Sequence, residues 1–164
     1  MLNSNTKICY NPIGVIESQF KKMDGVPIQP AGANGSQGKV RLFDEYSEGL
    51  SDLDGFSHII LLYHFHMSEG FSLKVTPFLD DSQHGVFATR APKRPNGIGM
   101  SVVKLLKIKK NILYVENVDI LNGTPLLDIK PFVTHFDNIE NEKNGWLSKN
   151  LQDSNKIKSD DRFI

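Results

Sequence analysis

Seven short runs rich in Val, Ile, Leu and Phe, close together and mostly bounded by turn residues, constrain this chain most: Ile13–Ile16, Lys39–Phe43, His58–His66, Val86–Thr89, Ser101–Ile108, Ile112–Val118 and Leu126–Val133. Each reads as a β-strand. No stretch carries a long 3.6-residue apolar period, so helix is expected only as a turn or two over Asp44–Leu53 and another over Glu142–Leu151. Lys109–Asn111 reads as a tight hairpin, and Asn122-Gly123 is the strongest short-range turn dipeptide. Strands this short and this closely spaced fit a barrel or a sandwich.

The chain has 164 residues, 39% of them hydrophobic, which is enough for one domain with a real core. After Val133 the composition turns to Asn, Asp, Glu, Lys and Ser, with Trp146 and Leu147 as isolated apolar anchors. Residues 1–133 therefore read as the β domain. Residues 134–164 read as a mostly irregular C-terminal extension that packs on that domain or on a second subunit. The lone Cys9 excludes an internal disulfide and a cysteine-based zinc site, and it suits a reducing compartment. The longest apolar run, Ile59–Tyr63, is far short of a membrane span, and MLNSNTKICYNP lacks the sections of a signal peptide. A cytoplasmic protein without a membrane partner is expected.

Nineteen Lys and Arg balance nineteen Asp and Glu, yet the charges are segregated. Asp44–Asp54 holds five acids and no base; Gly85–Lys110 holds seven bases and no acid. Solvated faces account for most such blocks, including the lysines of KLLKIKK. The stretch GVFATRAPKRPNGIG (85–99) is different, because prolines hold Arg90, Lys93 and Arg94 in place.

Other constellations are each open to a bland reading. GANGSQG (32–38) is neither G-x-G-x-x-G nor a P-loop, though its missing side chains would let a ligand approach the backbone. In FSHIILLYHFH (56–66), period two puts His58, His64 and His66 on one face. Only His64 and His66 are close enough to share an ion, and no further ligand is nominated, so no metal site is expected. Asp128 and Lys130 project opposite Leu127 and Ile129, which as a surface ion pair is worth under about 1 kcal/mol. Asp119 stands at a strand end before the Asn-Gly turn, where a ligand-holding residue often sits. These patterns do not reach a substrate.

The blocks IGVIES (13–18), VPIQP (26–30), GKVRLF-EY-EGL (38–50), DGFSHIILLYHFH (54–66), GVFATRAPKRPNGIGMSVV (85–103) and VDILNGTPLLDIKPFV (118–133) occur together and in this order. They resemble the TsaA-like β-barrel family, whose characterised members are tRNA N6-threonylcarbamoyladenosine-37 N6-methyltransferases. The resemblance implies a mainly β fold, a single small β-barrel domain with short helical turns. It also implies S-adenosyl-L-methionine as cofactor, the tRNA anticodon loop as partner, and a homodimer with cofactor sites near the subunit seam. The matching cofactor positions are Pro30, Ala31, Gly32, His66, Met67, Arg90, Met100 and Glu116, Asn117, Val118, Asp119. Gly97 stands where the family block usually has proline, and Ile28 where it usually has arginine.

On that resemblance the chain is expected to be an S-adenosylmethionine-dependent tRNA methyltransferase. Methyl transfer from a sulfonium needs alignment above all, and a base that takes the hydrogen of a carbamoylated N6 adds about 10²–10⁴-fold. Asp119, His66 and Asp128 are the candidates. Lys93 and Arg94 are expected on anticodon-loop phosphates, and Arg90 on the cofactor or modified base, with a salt bridge as its bland alternative. A non-catalytic tRNA- or nucleotide-binding barrel is the alternative, and a histidine-dependent metal hydrolase ranks well below both.

Overall fold

A computed structural model describes residues 6–33, 35–149, 158–160 and 163. Six strands close into a barrel: β1 (Gly14–Glu17), β2 (Gln37–Leu42), β3 (His58–His64), β6 (Ile98–Lys109), β7 (Ile112–Glu116) and β8 (Thr124–Pro131). Their order is β1-β2-β7-β6-β3-β8, and every pairing is antiparallel. Two further two-residue strands, β4 (Lys74–Val75) and β5 (His84–Gly85), pair with each other in the long excursion between β3 and β6.

Alternation along each strand builds the core. In β3, Ile59, Leu61 and Tyr63 face inward, and in β6 Val103 and Leu105 do the same. Ile16, Val40, Ile59, Leu61, Val103, Leu113, Val115 and Leu126 have no exposure at all. Side chains thus fill the interior, as expected for a barrel of so few strands. No ligand can sit inside it; a site must lie at its end or on its side.

Two bulges break the alternation. The β6–β7 register shifts between Leu105 and Lys107, leaving Leu106 40% exposed and turning Ile108 back onto the core. The β3–β8 register shifts opposite Leu127, so both Leu126 and Ile129 reach the core side. An added residue flips the parity of everything after it. Lys110, at φ 55°, and Asn111 close the β6–β7 hairpin where expected. Gly123, at φ 83°, turns the chain into β8 as the Asn-Gly pair predicts.

Two expectations need correction. Val86–Thr89 is not a strand: Val86–Ala88 forms a 3-10 turn, with Val86 buried beside Val75, Ala91 and Phe163 in a second small apolar cluster. The β3 strand stops at His64, because the Phe65 amide bonds Gly97 and the His66 amide folds back onto the His64 carbonyl. His66 therefore leaves the face that His58 and His64 share. Among the short helices, Asp44–Leu50 and Leu53–Gly55 are 3-10 turns that cover the expected Asp44–Leu53. The expected turn over Glu142–Leu151 is a 3-10 turn at Gly145–Lys149, with residues 150 and 151 outside the described residues. A one-turn α-helix, α1 (Thr134–Asp137), follows β8.

Candidate functional site

A cleft of about 790 Å³ lies where the C-terminal end of β3, the start of β6 and the connector after β7 meet the excursion, the 26–30 segment and the tail. Of the expected cofactor positions, Pro30, His66, Met67, Arg90, Met100 and Asp119 line this single hollow, though they come from five separate chain segments.

Its polar centre is a chain of three side chains. The Tyr63 hydroxyl lies 3.0 Å from Ser101 Oγ, which donates to Asp119 Oδ1 at 2.7 Å. Burial pushes the Asp119 carboxyl up to about 6, against the pull of the Ser101 hydrogen bond and of the Arg90 charge. Burial, then the Asp119 charge, also pushes the Tyr63 phenol above its usual range, so it stays neutral. Beside them His66 Nδ1 lies 3.3 Å from Thr124 Oγ1, and burial followed by His64 holds the imidazole below its ordinary value. It is therefore neutral at pH 7. Arg90 is exposed on the rim and reaches Gln29 Oε1 at 3.5 Å.

Neither Tyr63 nor Ser101 was expected here. The available signal was parity: period two puts both on core faces of β3 and β6, and a buried hydroxyl must find a partner. The tail also reaches the site. Trp146 donates its indole N–H to the Ala88 carbonyl at 2.8 Å, stacks on His84 at 4.3 Å, and lines the cleft. Ser159 clips the tail to Met23, Gly25 and Val26, and Phe163 packs edge-on against Phe78 at 5.1 Å.

Other expected residues lie elsewhere. Asp128 does not line the cleft; its carboxylate accepts from the Ile129 amide and pairs with Lys130 at 2.8 Å on the exposed side of β8. Glu116 faces Lys104 at 3.4 Å. Asn117, at φ 65°, accepts from the Gly35 amide, and Val118 is buried with its carbonyl on Ser36 Oγ. Asn117 and Val118 pin the glycine loop to the barrel, and none of the three lines the hollow. Gly32 and Ala31 belong to the 3-10 turn Pro30–Gly32, where the Gly32 amide bonds the Gln29 carbonyl. Among the described residues, no group of three or more His, Cys, Asp or Glu is placed to hold a metal ion.

Arg94 has a structural part that the sequence did not reveal. Its Nη1 turns inward to the carbonyls of Val86 (3.3 Å), Thr89 (2.9 Å) and Ala91 (3.3 Å), stapling the excursion. That nitrogen of the guanidinium, spent on carbonyls, acts as a loop brace. Arg94→Met is accordingly expected to lower stability by about 1–3 kcal/mol, because it leaves partly buried carbonyls unpaired. Thermal unfolding checks this; an unchanged Tm would contradict it.

The geometry can be set beside known proteins. Residues 15–138 match the model of the tRNA-methyltransferase O N-terminal domain. A probable S-adenosyl-L-methionine-binding protein of Pyrococcus abyssi is 55% identical over 157 residues, 96% of this chain and 85% of that protein. The human tRNA (adenine(37)-N6)-methyltransferase is 35% identical over 150 residues, 87% of this chain but 34% of that protein. A crystal structure of TrmO from Pseudomonas aeruginosa superposes with a TM-score of 0.73 at 37% identity, covering 86% of this chain and 63% of that one. The chain thus spans about a third of the human relative's length and under two thirds of the solved bacterial chain. With a closed six-stranded barrel matching that structure and a family model covering most of its length, the chain belongs to the tRNA-methyltransferase O N-terminal domain family.

Proposed function

We propose that this protein transfers a methyl group from S-adenosyl-L-methionine to N6 of N6-threonylcarbamoyladenosine at position 37 of tRNA. One observation carries the reading: Pro30, His66, Met67, Arg90, Met100 and Asp119 meet in a single cleft, in a family whose relatives bear the names given above. The cleft fits the donor. Its volume of about 790 Å³ is within the usual range for small-molecule sites, and apolar walls from Met67, Phe87 and Met100 surround a few convergent polar groups.

When bound, the donor supplies a methyl carbon on a positively charged sulfur, and the C–S bond pair returns to sulfur as nitrogen takes the methyl. The protein's own groups do the rest. Arg90 offers a guanidinium to a carboxylate, which both the donor and the threonylcarbamoyl group carry. Neutral His66, held through Nδ1 beside Thr124, presents its other ring nitrogen for a hydrogen bond. Asp119 accepts the N6 proton. An anticodon-loop base is already unpaired, so bringing it into the cleft costs less than opening a duplex. Lys93, on the excursion, remains the candidate for an anticodon-loop phosphate.

A homodimer belongs to the same reading. It is supported by apolar side chains left exposed beside the cleft: Met67 at 58%, Phe87 at 75% and Met100 at 45%. A cytoplasmic setting is supported by the exposed, unpaired Cys9 thiol.

Incubation of tRNA with the protein and an isotopically labelled methyl donor, followed by nucleoside mass spectrometry, tests the proposal. A labelled methyl on N6-threonylcarbamoyladenosine is expected. Tight donor binding with no methylated nucleoside would instead mark a non-catalytic binding barrel.

A further inference from the structure

We infer that Ser101, backed by Tyr63, is a positioning residue that orients the Asp119 carboxylate and keeps it ionised as the proton acceptor for the reacting nitrogen. The inference rests on the methyltransferase reading of the cleft.

The direction of the hydrogen bonds follows from what each group can do. An ionised carboxylate only accepts, so the single Ser101 hydrogen points to Asp119 Oδ1 at 2.7 Å. Ser101 Oγ then has only lone pairs for Tyr63, and the phenol at 3.0 Å must donate. The Tyr63 phenol is neutral and therefore always has that hydrogen to give. Ser101 and Tyr63 are 2% and 6% exposed, so solvent offers little competition for either bond.

Packing sets the chain's geometry. The Tyr63 ring meets Phe65 edge-on at 5.5 Å and lies across Gly99, its direct cross-strand partner. The three members come from β3, β6 and the connector after β7, so only the folded barrel assembles them.

With Oδ1 committed to Ser101, Oδ2 is the oxygen that takes the proton. The N6–H bond breaks, its proton goes to Oδ2, and the pair left on nitrogen forms the bond to the methyl carbon. Once Oδ2 is protonated, Oδ1 is still an acceptor, so the Ser101 and Tyr63 hydrogens stay where they are. The charged and titratable groups around Asp119 are Tyr63 from β3 and Arg90 from the excursion. His66, Arg94 and Asp160 line the same cleft.

The test is a titration of the Asp119 carboxyl by ¹³C NMR on the full chain without ligands, paired with the pH dependence of single-turnover methyl transfer. In Ser101→Ala the midpoint is expected to rise by about one pH unit, because a donor to the ionised form is lost. The acid limb of the rate profile should move with it, the rate should recover above about pH 8, and KM for the methyl donor should hold. Ser101→Thr, which keeps the hydroxyl, should restore the profile. Tyr63→Phe should shift both measurements the same way by a smaller amount.

A Ser101→Ala midpoint and acid limb equal to wild type, or a loss of rate equal at every pH, overturns the inference. Should Ser101→Ala fail to fold, an unshifted Tyr63→Phe overturns it instead. Asp119→Asn separates this failure from a broader one: an active Asp119→Asn sinks the proton-acceptor reading itself. An inactive Asp119→Asn beside an unshifted Ser101→Ala sinks only the positioning role.

Discussion

Asp119→Asn is expected to slow single-turnover methyl transfer by about 10²–10⁴-fold while leaving the protein at least as stable as wild type above pH 6. The loss of rate follows from removing the only carboxylate of the Tyr63–Ser101–Asp119 chain. The stability follows from the same burial. The Asp119 carboxyl releases its proton at about 6 in the folded chain, against an ordinary value of 3.8. Folding thus favours the protonated form, and that contribution is full below about pH 4 and lost as pH rises through 6. Above that the buried charge costs on the order of 2–3 kcal/mol. Asparagine carries no charge, and its carbonyl oxygen can still accept from Ser101. The Tm of the variant relative to wild type should therefore climb between pH 4 and 7. A near-wild-type rate, or a relative Tm flat across that range, would contradict this account.

Gly99→Ala should be the most damaging single-methyl change at the site. A Cβ at Gly99 would overlap Tyr63 Cε2 and stand 2.5 Å from Cζ, far inside van der Waals contact. The ring has no easy retreat, since Tyr63 is 6% exposed, packed edge-on against Phe65 and bonded to Ser101. Overpacking of this kind costs about 1–3 kcal/mol. Moving the ring also breaks the bond to Ser101, so methyl transfer should fall in the fraction that stays folded. Gly97→Ala, two residues earlier, is the control. Its Cβ would meet His64 and Phe65 no closer than 3.6 Å, so Tm and rate should stay near wild type. Equal effects at Gly97 and Gly99 would remove the steric argument.

Much of the barrel could be read from the chain because its strands obey a two-residue period. Ile59, Leu61 and Tyr63 sit where that alternation puts them, and the Lys109–Asn111 and Asn122-Gly123 turns fall where their residues place them. Sequence reasoning went astray where tertiary contacts outvoted local preference. Val86–Thr89 has strand composition, but Arg94 gathers its carbonyls and a separate apolar cluster claims Val86. The bulges at Leu106 and Leu127 carry no strong local mark, yet each reverses which residues face inward downstream. At the site, charged residues drew attention for their chemistry, and Asp119 and Asp128 looked alike. One is enclosed beside Ser101; the other is a surface partner of Lys130.

The amino-acid sequence by itself determined the local grammar: which stretches extend, where the chain turns, and that a small β domain carries a rigid basic excursion. It did so because backbone preference and side-chain period act over a few residues. Only the tertiary structure decided that Tyr63, Ser101 and Asp119 form one hydrogen-bonded line, that Arg94 braces the excursion, and that Trp146 walls the cleft. Those outcomes depend on which strands become neighbours and what closing the barrel buries. A carboxylate's proton affinity and a cation's partner are set by such distant contacts.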